Sequence, residues 1–152
     1  MVRAPFQVLV YPYRKVGVSE FEYALFRRSD AGYWQGIAGG GEDDETPLEA
    51  ARRETMEEAG LSAASEFLQL DTVLSNPVTE FRDSYLWGDE VYVIPQYCFG
   101  VLVEGAEIVL SPEHTECRWL DYQEAHGLLK WDGDRVALWE LDRRVRGLGP
   151  RD

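Results

Sequence analysis

The sequence predicts an α/β domain in which helices flank a mixed β-sheet. Segments rich in β-branched and aromatic residues alternate with segments that carry helix signals, and short turns between the early strands favour antiparallel hairpins. The chain has 152 residues, which is enough for one self-sufficient hydrophobic core. We therefore expect a single domain, without internal repeats or low-complexity segments.

Strand and turn signals extend along the whole chain. Five extended segments are predicted, at residues 6–11, 21–26, 66–74, 91–103 and 116–120. Pro95 interrupts the fourth of them, so a bulge or an edge position is expected there. A hairpin connection is predicted at 14–19, a turn at 29–32 and a long, partly irregular loop at 75–90.

The first helix has clear signals at both ends. Thr46 is a candidate N-cap, Pro47 suits the first helical position, and Glu49 completes a capping box. Gly60 is the expected terminator just past the last turn. These signals predict a helix between Thr46 and Gly60.

Two further helices are expected near the end of the chain. Asp121 and Glu124 repeat the capping logic and open a helix to about Lys130, and Asp134 is the predicted N-cap of the last helix. The apolar stripe of that last helix comprises Ala137, Leu138, Leu141 and Val145.

Composition and charge restrict the partners. The formal net charge of −13 argues against tight non-specific binding of nucleic acid, which needs a cationic surface. No apolar run approaches the roughly 20 residues that cross a bilayer, and the first residues show no secretory signal. Cys98 and Cys117 are too few for a disulfide framework. We expect a cytoplasmic protein with reduced thiols and no membrane or nucleic-acid partner.

Residues 39–61 combine a glycine run with a dense set of acidic residues. Because an α-helix turns about 100° per residue, Glu54, Glu57 and Glu58 share one face of the first helix. They lie beside a stripe expected to pack on the sheet, at the edge of the core where a cleft can form. The stripe comprises Leu48, Ala51, Thr55 and Ala59.

Three like charges so close together weaken a helix unless a cation lies among them. Mg²⁺ or Mn²⁺ fits, since a hard cation takes oxygen ligands and retains water and substrate phosphates. Arg53 lies one turn before Glu57 and is expected to orient it, with Glu45 as a second partner of Arg53. The alternative is a solvated acidic face, which suits Glu57 and Glu58 poorly because the C-terminal end of a helix disfavours negative charge.

The same residues resemble the signature of the Nudix family. That signature is a glycine, five residues, a glutamate, seven residues, and then Arg-Glu-aliphatic-any-Glu-Glu-any-Gly-aliphatic. Gly39, Glu45 and residues 53–61 meet every fixed position, and Thr55 alone departs from the pattern. Its hydroxyl is expected to bond to the carbonyl of Ala51. The resemblance implies a Nudix fold, an α/β/α sandwich around a mixed β-sheet, as one domain over residues 1–152.

The resemblance also implies an activity. Nudix hydrolases use Mg²⁺ or Mn²⁺ to cleave a diphosphate linkage in a nucleoside triphosphate or a related nucleoside diphosphate compound. The resemblance implies that Glu54, Glu57 and Glu58 bind the metal, together with a carbonyl oxygen of Gly39 or Gly40. The bound metal would lower the pKa of an attacking water. The general base stays open between Glu57 and Glu54.

Residues around these carboxylates are given supporting roles. Arg53 is expected to organise the catalytic helix and loop together with Glu45. Glu113 is a candidate metal ligand or base, and the alternative is an ordinary loop acid. His114 either adjusts local protonation or is incidental, and His126 is expected to be structural.

The substrate contacts come from residues near the glycine run and in the long loop. The stretch from Arg27 to Gln35 resembles the bacterial subgroup that includes dihydroneopterin triphosphate and dATP pyrophosphohydrolases. Arginines there would contact phosphate, and aromatic side chains, including Tyr33, Tyr85 and Trp87, would stack on the ring or pack beneath the loop. The predicted contacts are Arg27, Arg28, Trp34, Gln35 and Phe81.

Two readings compete with a hydrolase that acts on a small nucleotide-like substrate as a monomer or homodimer. A Nudix-fold sensor would bind a nucleotide metabolite without turnover, and its usual mark is a lost signature glutamate. An acidic interaction domain would bind cations only as counterions. The sequence keeps all the signature glutamates, and the spacing of its glycines and arginine has no role in an interaction domain.

Overall fold

The computed structural model describes residues 1–151, in which a seven-stranded sheet lies between helices. The strands are β1 (Arg3–Gly17), β2 (Glu20–Arg28), β3 (Trp34–Gln35), β4 (Ile37–Glu42), β5 (Phe67–Pro77), β6 (Val93–Leu102) and β7 (His114–Leu120). The helices are α1 (Pro47–Ala59), α2 (Tyr122–Leu128) and α3 (Asp132–Val145). Two short 3₁₀ helices span Val78–Glu80 and Arg82–Trp87.

The sheet is mixed, as predicted. Its strand order is β3-β2-β1-β6-β5, and β4 pairs with β1 while β7 pairs with β2. The pairing of β1 with β6 is parallel, whereas the other strand pairs are antiparallel. The long strand β1 therefore lies at the centre and contacts three other strands.

Two hydrophobic cores cover the two faces of this sheet. Along β1, Val8 and Val10 belong to one core and Leu9 and Tyr11 to the other, as the alternation of side chains in a strand requires. Buried alanines of α1 close the first core, and buried residues of α2 and α3 close the second. This arrangement confirms the predicted α/β/α sandwich and places α1 alone on one face.

Several boundaries differ from the sequence prediction. β1 and β2 extend so far that only Val18 and Ser19 separate them, and Ser19 has a φ of 61°. The predicted loop at 75–90 contains the end of β5 and both 3₁₀ helices. Pro95 pairs with Ser75 without a shift of register, so no bulge occurs there. β1 begins to pair with β6 only at Gln96, so Pro95 lacks a neighbour on that side.

Two predictions about individual helix residues were wrong, one on burial and one on capping. Leu48 lies in the first turn of α1 and is exposed, while Ala50 is fully buried in its place. Asp134 is not the N-cap of α3, because the helix begins at Asp132 with Trp131 as its N-cap. Asp134 is instead a buried residue of the first helical turn. Among residues 1–151, no helix is long and apolar enough to cross a membrane.

Candidate active site

The N-terminus of α1 has the predicted cap. The Thr46 hydroxyl accepts the Glu49 N–H at 3.2 Å, and a Glu49 carboxylate oxygen accepts the Thr46 N–H at 2.9 Å. Gly60 ends the helix in a left-handed conformation at φ 67°, where glycine is favoured. Both ends of α1 are therefore fixed by local sequence, which sets the position of the acidic face.

Arg53 connects this helix to the preceding glycine strand. Its Nη2 donates to the Gly40 carbonyl at 2.8 Å, and its Nε and Nη2 donate to the two carboxylate oxygens of Glu45 at 2.8 and 3.0 Å. Its Nη1 contacts Glu54 at 3.0 Å and Glu57 at 3.2 Å. One guanidinium thus holds the loop, the helix and two of the three carboxylates, so the predicted pairs with Glu45 and Glu57 are confirmed.

The glycines of β4 let the acidic helix approach the strand closely. A Cβ on Gly39 would lie 2.2 Å from the carboxyl carbon of Glu54, and a Cβ on Gly40 would lie 1.9 Å from the guanidinium carbon of Arg3. Any larger residue at either position would displace a charged side chain. The backbone of β4 therefore forms one wall of the carboxylate cluster.

Two of the three carboxyl groups are withdrawn from solvent. Glu58 is 4 % exposed, and burial, together with Glu113 and Glu54, raises its pKa to about 10. Burial raises the pKa of Glu54 to about 7, although the bond from Arg53 opposes the change. The side chain of Glu57, by contrast, is 55 % exposed. The cluster therefore favours bound protons, or a bound cation, at neutral pH.

The structure brings Glu113 to this cluster from a distant part of the sequence. Its loop is tied to α1, since the Val109 N–H bonds to the Ala59 carbonyl at 2.9 Å. It is also tied to the end of β2, since the Ser29 N–H bonds to the Glu113 carbonyl at 2.9 Å. The charge of Glu113 raises the pKa of both Glu54 and Glu58.

The chemistry of this cluster fits a hard divalent cation. Oε2 of Glu58 is buried and has no hydrogen-bond partner, and the neighbouring oxygen donors are carboxylates and glycine carbonyls. Within residues 1–151, no three His, Cys, Asp or Glu side chains already stand together as a metal-binding group. Arg53 bonds to one oxygen of Glu54 and to one oxygen of Glu57, so the second oxygen of each carboxylate is not held by Arg53.

Beside β4 lies an open cleft of about 860 Å³, which is large enough for a nucleotide. Gly39 and Gly40 line it, and so do three of the predicted substrate contacts, Arg28, Gln35 and Phe81. The lining also includes Arg3, Gln7, Tyr33, Trp131 and Asp134.

Two predicted substrate contacts lie outside the lining of the cleft. Arg27 is exposed and its Nε donates to the Gly32 carbonyl at 3.1 Å. Trp34 packs against the core next to α2 and α3, with the guanidinium of Arg118 at 5.0 Å from its ring. Gln35, the next residue of the same short strand, does line the cleft.

The other aromatic and histidine residues singled out in the sequence have diverse positions. Tyr85 is exposed, and Trp87 donates its indole N–H to the Arg3 carbonyl at 2.9 Å. His114 is buried at the start of β7, where burial lowers its pKa. His126 packs on Tyr122 in α2, with ring centroids 5.5 Å apart.

Arg3 is the most prominent cleft residue that the sequence analysis missed. Its guanidinium lies against Gly40 and 5.4 Å from the centre of the Phe81 ring, and it bonds to Gln7. It precedes the predicted first strand and belongs to no motif. Its Nε is buried without a hydrogen-bond partner, so the residue retains a free donor.

Thr55 differs from its predicted role. The residue is fully buried, but its hydroxyl has no hydrogen-bond partner, so the expected bond to the Ala51 carbonyl is absent. The Thr55 side chain fills space in the core, and its hydroxyl oxygen stays without a hydrogen bond.

Comparison with known proteins identifies the family. The NUDIX domain model matches residues 14–139, a range that includes the glycine strand, α1 and the Glu113 loop. The chain belongs to the Nudix hydrolase family.

Individual relatives give the same result. The chain is 32 % identical to dihydroneopterin triphosphate diphosphatase of Escherichia coli over 118 residues, which cover 75 % of this chain and 77 % of that protein. The crystal structure of a NUDIX-family protein of Listeria monocytogenes matches with a TM-score of 0.85 and 38 % identity, over 95 % of this chain and 96 % of the other. The structure of E. coli dihydroneopterin triphosphate pyrophosphohydrolase shares the fold, with a TM-score of 0.76 and 23 % identity over 94 % and 98 % of the two chains.

Proposed function

We propose that this protein is a divalent-metal-dependent pyrophosphohydrolase that cleaves the triphosphate chain of a nucleotide or a pterin-like compound. One observation carries the proposal: the carboxyl group of Glu54 lies against Gly39, whose backbone lines a nucleotide-sized cleft, and the buried carboxyl group of Glu58 follows one turn later on the same helix. Dihydroneopterin triphosphate diphosphatase is the printed name of the E. coli relative, which makes that substrate or a nucleoside triphosphate such as dATP our preferred class.

The metal, Mg²⁺ or Mn²⁺, would be held by Glu54, Glu57 and Glu58 with a carbonyl of Gly39 or Gly40. When bound, it would supply charge neutralisation at the diphosphate and a lower pKa for the attacking water. Arg53 keeps two of these carboxylates and the Gly40 carbonyl in position. It is a positioning residue, since its guanidinium is fully engaged by its protein partners.

The general base is assigned to the solvent-exposed carboxylate of the cluster. Glu57 is half exposed and can accept a proton from water, so it is our preferred general base, with Glu54 as the second candidate. Glu113 faces Glu54 and Glu58, and we propose that it is a further ligand or base.

The phosphate chain would lie between the carboxylate cluster and the arginines of the cleft. Arg3 has an unpaired buried Nε beside Gly40. Arg28 lines the same cleft, although Asp30 now holds its guanidinium through two bonds of 2.8 and 2.7 Å. Two cations in a strongly acidic protein provide local attraction for a polyphosphate.

A substrate panel tests this proposal. Purified protein is incubated with nucleoside triphosphates, dihydroneopterin triphosphate and nucleotide-sugars with Mg²⁺, Mn²⁺ or EDTA, and products are identified by mass. We expect release of pyrophosphate that requires metal and that Glu57→Gln abolishes while the circular dichroism spectrum is retained. Specific binding without turnover would instead support a sensor. The absence of both binding and turnover would overturn the proposal.

The remaining properties are proposed from the sequence. We propose one domain, a cytoplasmic location, and a monomer or homodimer without nucleic-acid or membrane partners. Light scattering after gel filtration measures the oligomeric state, and limited proteolysis tests whether residues 1–152 behave as one unit.

A further inference from the structure

Strand β7 has one edge without a neighbouring strand. Among residues 1–151, β7 pairs with β2 and with no other strand. The backbone N–H and C=O groups on its far side therefore belong to no ladder. Such an edge, seven residues long, can take up a further extended strand through main-chain hydrogen bonds. β7 thus offers an edge to a partner that supplies a strand.

The outer strand β5 is closed to pairing of this kind. Glu140 of α3 accepts the N–H groups of Asp71 and Thr72 at 2.6 and 2.8 Å. These residues lie where the register between β5 and β6 shifts. Pro77 at the end of β5 has no N–H group to donate. A ladder along β5 would have to break the bonds to Glu140, which makes β7 the more favourable edge.

Two opposite charges lie on one face of β7. Glu116 and Arg118 share that face because alternate residues of a strand do so, while Cys117 and Trp119 pack against the core beneath α1. The side chains of Glu116 and Arg118 are 39 % and 53 % exposed, and Nε of Arg118 donates to Oε2 of Glu116 at 2.7 Å. The other carboxylate oxygen and the two terminal guanidinium nitrogens are outside this bond. Both charges can therefore meet further partners.

These charges make β7 complementary to itself. When two copies pair antiparallel about a two-fold axis perpendicular to the sheet, residues of the same face lie opposite one another. An axis at Cys117 places Glu116 opposite Arg118 of the second copy, and by symmetry Arg118 opposite Glu116. An axis at Glu116 or at Arg118 would place two like charges opposite each other, which is destabilising. Charge therefore favours the register centred on Cys117.

We propose that two copies of this chain form a homodimer in which the β7 strands pair antiparallel about Cys117 and join the two sheets into one. A second copy is favoured over an unrelated strand because it supplies the matching acid and base at the required spacing on both sides of the axis. The interface includes no residue of α1 and does not depend on the proposed hydrolysis. It decides between the monomer and the homodimer that the sequence leaves open.

Charge reversals test the interface. Sedimentation equilibrium over a range of protein concentrations measures the dimer dissociation constant. Glu116→Arg and Arg118→Glu each place like charges opposite each other on both sides of the axis. The double variant Glu116→Arg/Arg118→Glu exchanges the two charges and restores both attractive pairs. Glu90→Arg is the control, because Glu90 is exposed in the loop before β6 and its reversal changes the net charge as much as Glu116→Arg does. Thermal unfolding verifies that every variant is folded.

We expect the unchanged protein to reach twice the 17.4 kDa mass of one chain. Each single reversal should raise the dissociation constant about tenfold or more, because two attractive pairs become repulsive. The double variant and Glu90→Arg should both stay within about threefold of the unchanged protein. Hydrogen exchange locates the interface: the amides of residues 114–120 should exchange more slowly as the protein concentration rises, whereas those of β5 should not.

A protein that stays monomeric at every concentration overturns the proposal. A dimer that both single reversals leave intact overturns it as well, and so does protection that appears in β5 and not in β7. Rescue by the double variant supports the pairing of Glu116 with Arg118 across the axis, because an unrelated strand would not be restored by exchanging the two charges. These results are the same whether or not the protein hydrolyses a triphosphate, so a failure of the proposed function is recognised separately.

Discussion

Replacing Glu58 by glutamine is expected to stabilise the metal-free protein at high pH and to remove its stabilisation by metal. Glu58 is buried, with a pKa of about 10 instead of 4.5. Between these two values the folded protein carries a proton that the unfolded chain has lost, so stability falls as the pH rises through this window. Glutamine carries no such proton, and the variant therefore lacks this pH dependence.

The size of the effect follows from the pKa difference. Because Glu58 stays protonated in the folded protein, the free energy of unfolding is lower than at acidic pH by up to about 5 kcal/mol at pH 8 and by about 1 kcal/mol at pH 5. These values follow from about 1.4 kcal/mol for each pKa unit. The buried amide of glutamine brings its own unpaired donors, at a cost of roughly 1–3 kcal/mol that does not depend on pH. The change in unfolding free energy on Glu58→Gln should therefore be about 4 kcal/mol more favourable at pH 8 than at pH 5.

Urea denaturation with EDTA at the two pH values measures this difference, and the same titrations with Mn²⁺ measure stabilisation by metal. Asp44→Asn is the control, because Asp44 is an exposed acid close to α1 that is not a proposed ligand. The reasoning is refuted if Glu58→Gln has the same effect at both pH values. It is equally refuted if the variant is stabilised by Mn²⁺ as much as the original protein.

Three other substitutions test separate parts of the site. Thr55→Val removes a buried hydroxyl without a partner and should raise the free energy of unfolding by about 1–2 kcal/mol in urea titrations; a loss of stability would show that the hydroxyl is paired. Arg53→Lys leaves one ammonium group to replace bonds to Gly40, Glu45 and Glu54, so kcat should fall about 100-fold and the unfolding midpoint should also fall, because charge-assisted bonds are lost. An unchanged kcat contradicts the positioning role. Gly39→Ala places a methyl group against the Glu54 carboxyl and should raise the Mg²⁺ concentration for half-maximal rate about tenfold; an unaltered Mg²⁺ dependence would separate Gly39 from the metal site.

Features that depend on neighbouring residues could be predicted from the sequence. The cap at Thr46 and the terminator Gly60 arise from contacts within one helical turn, and the structure confirms both. The bond between Arg53 and Glu45 joins two residues of the same short segment, so helix geometry and the family signature already indicated it. The carboxylate face of α1 could be predicted from the sequence for the same reason.

The cleft could not be predicted in this way because it is formed by distant segments. Arg3 comes from the first residues of β1 and Asp134 from the last helix, and no local pattern links them. For Asp134, acidic residues at both 132 and 134 suit a helix start, and sequence alone does not show which one is buried. Trp34 and Gln35 were both assigned to the substrate, but Trp34 packs against the core while Gln35 lines the cleft, a difference that depends on the packing of α2 and α3.

The central claim is that the carboxylates of α1 bind a divalent cation, and Mn²⁺ binding followed by electron paramagnetic resonance tests it most directly. We predict saturable binding to the unchanged protein and to Asp44→Asn at pH 8. We also predict that binding weakens at least about tenfold when Glu54, Glu57 or Glu58 is replaced by glutamine. Equal Mn²⁺ affinity in all these proteins, or no saturable binding in the unchanged one, would contradict the assignment of the site.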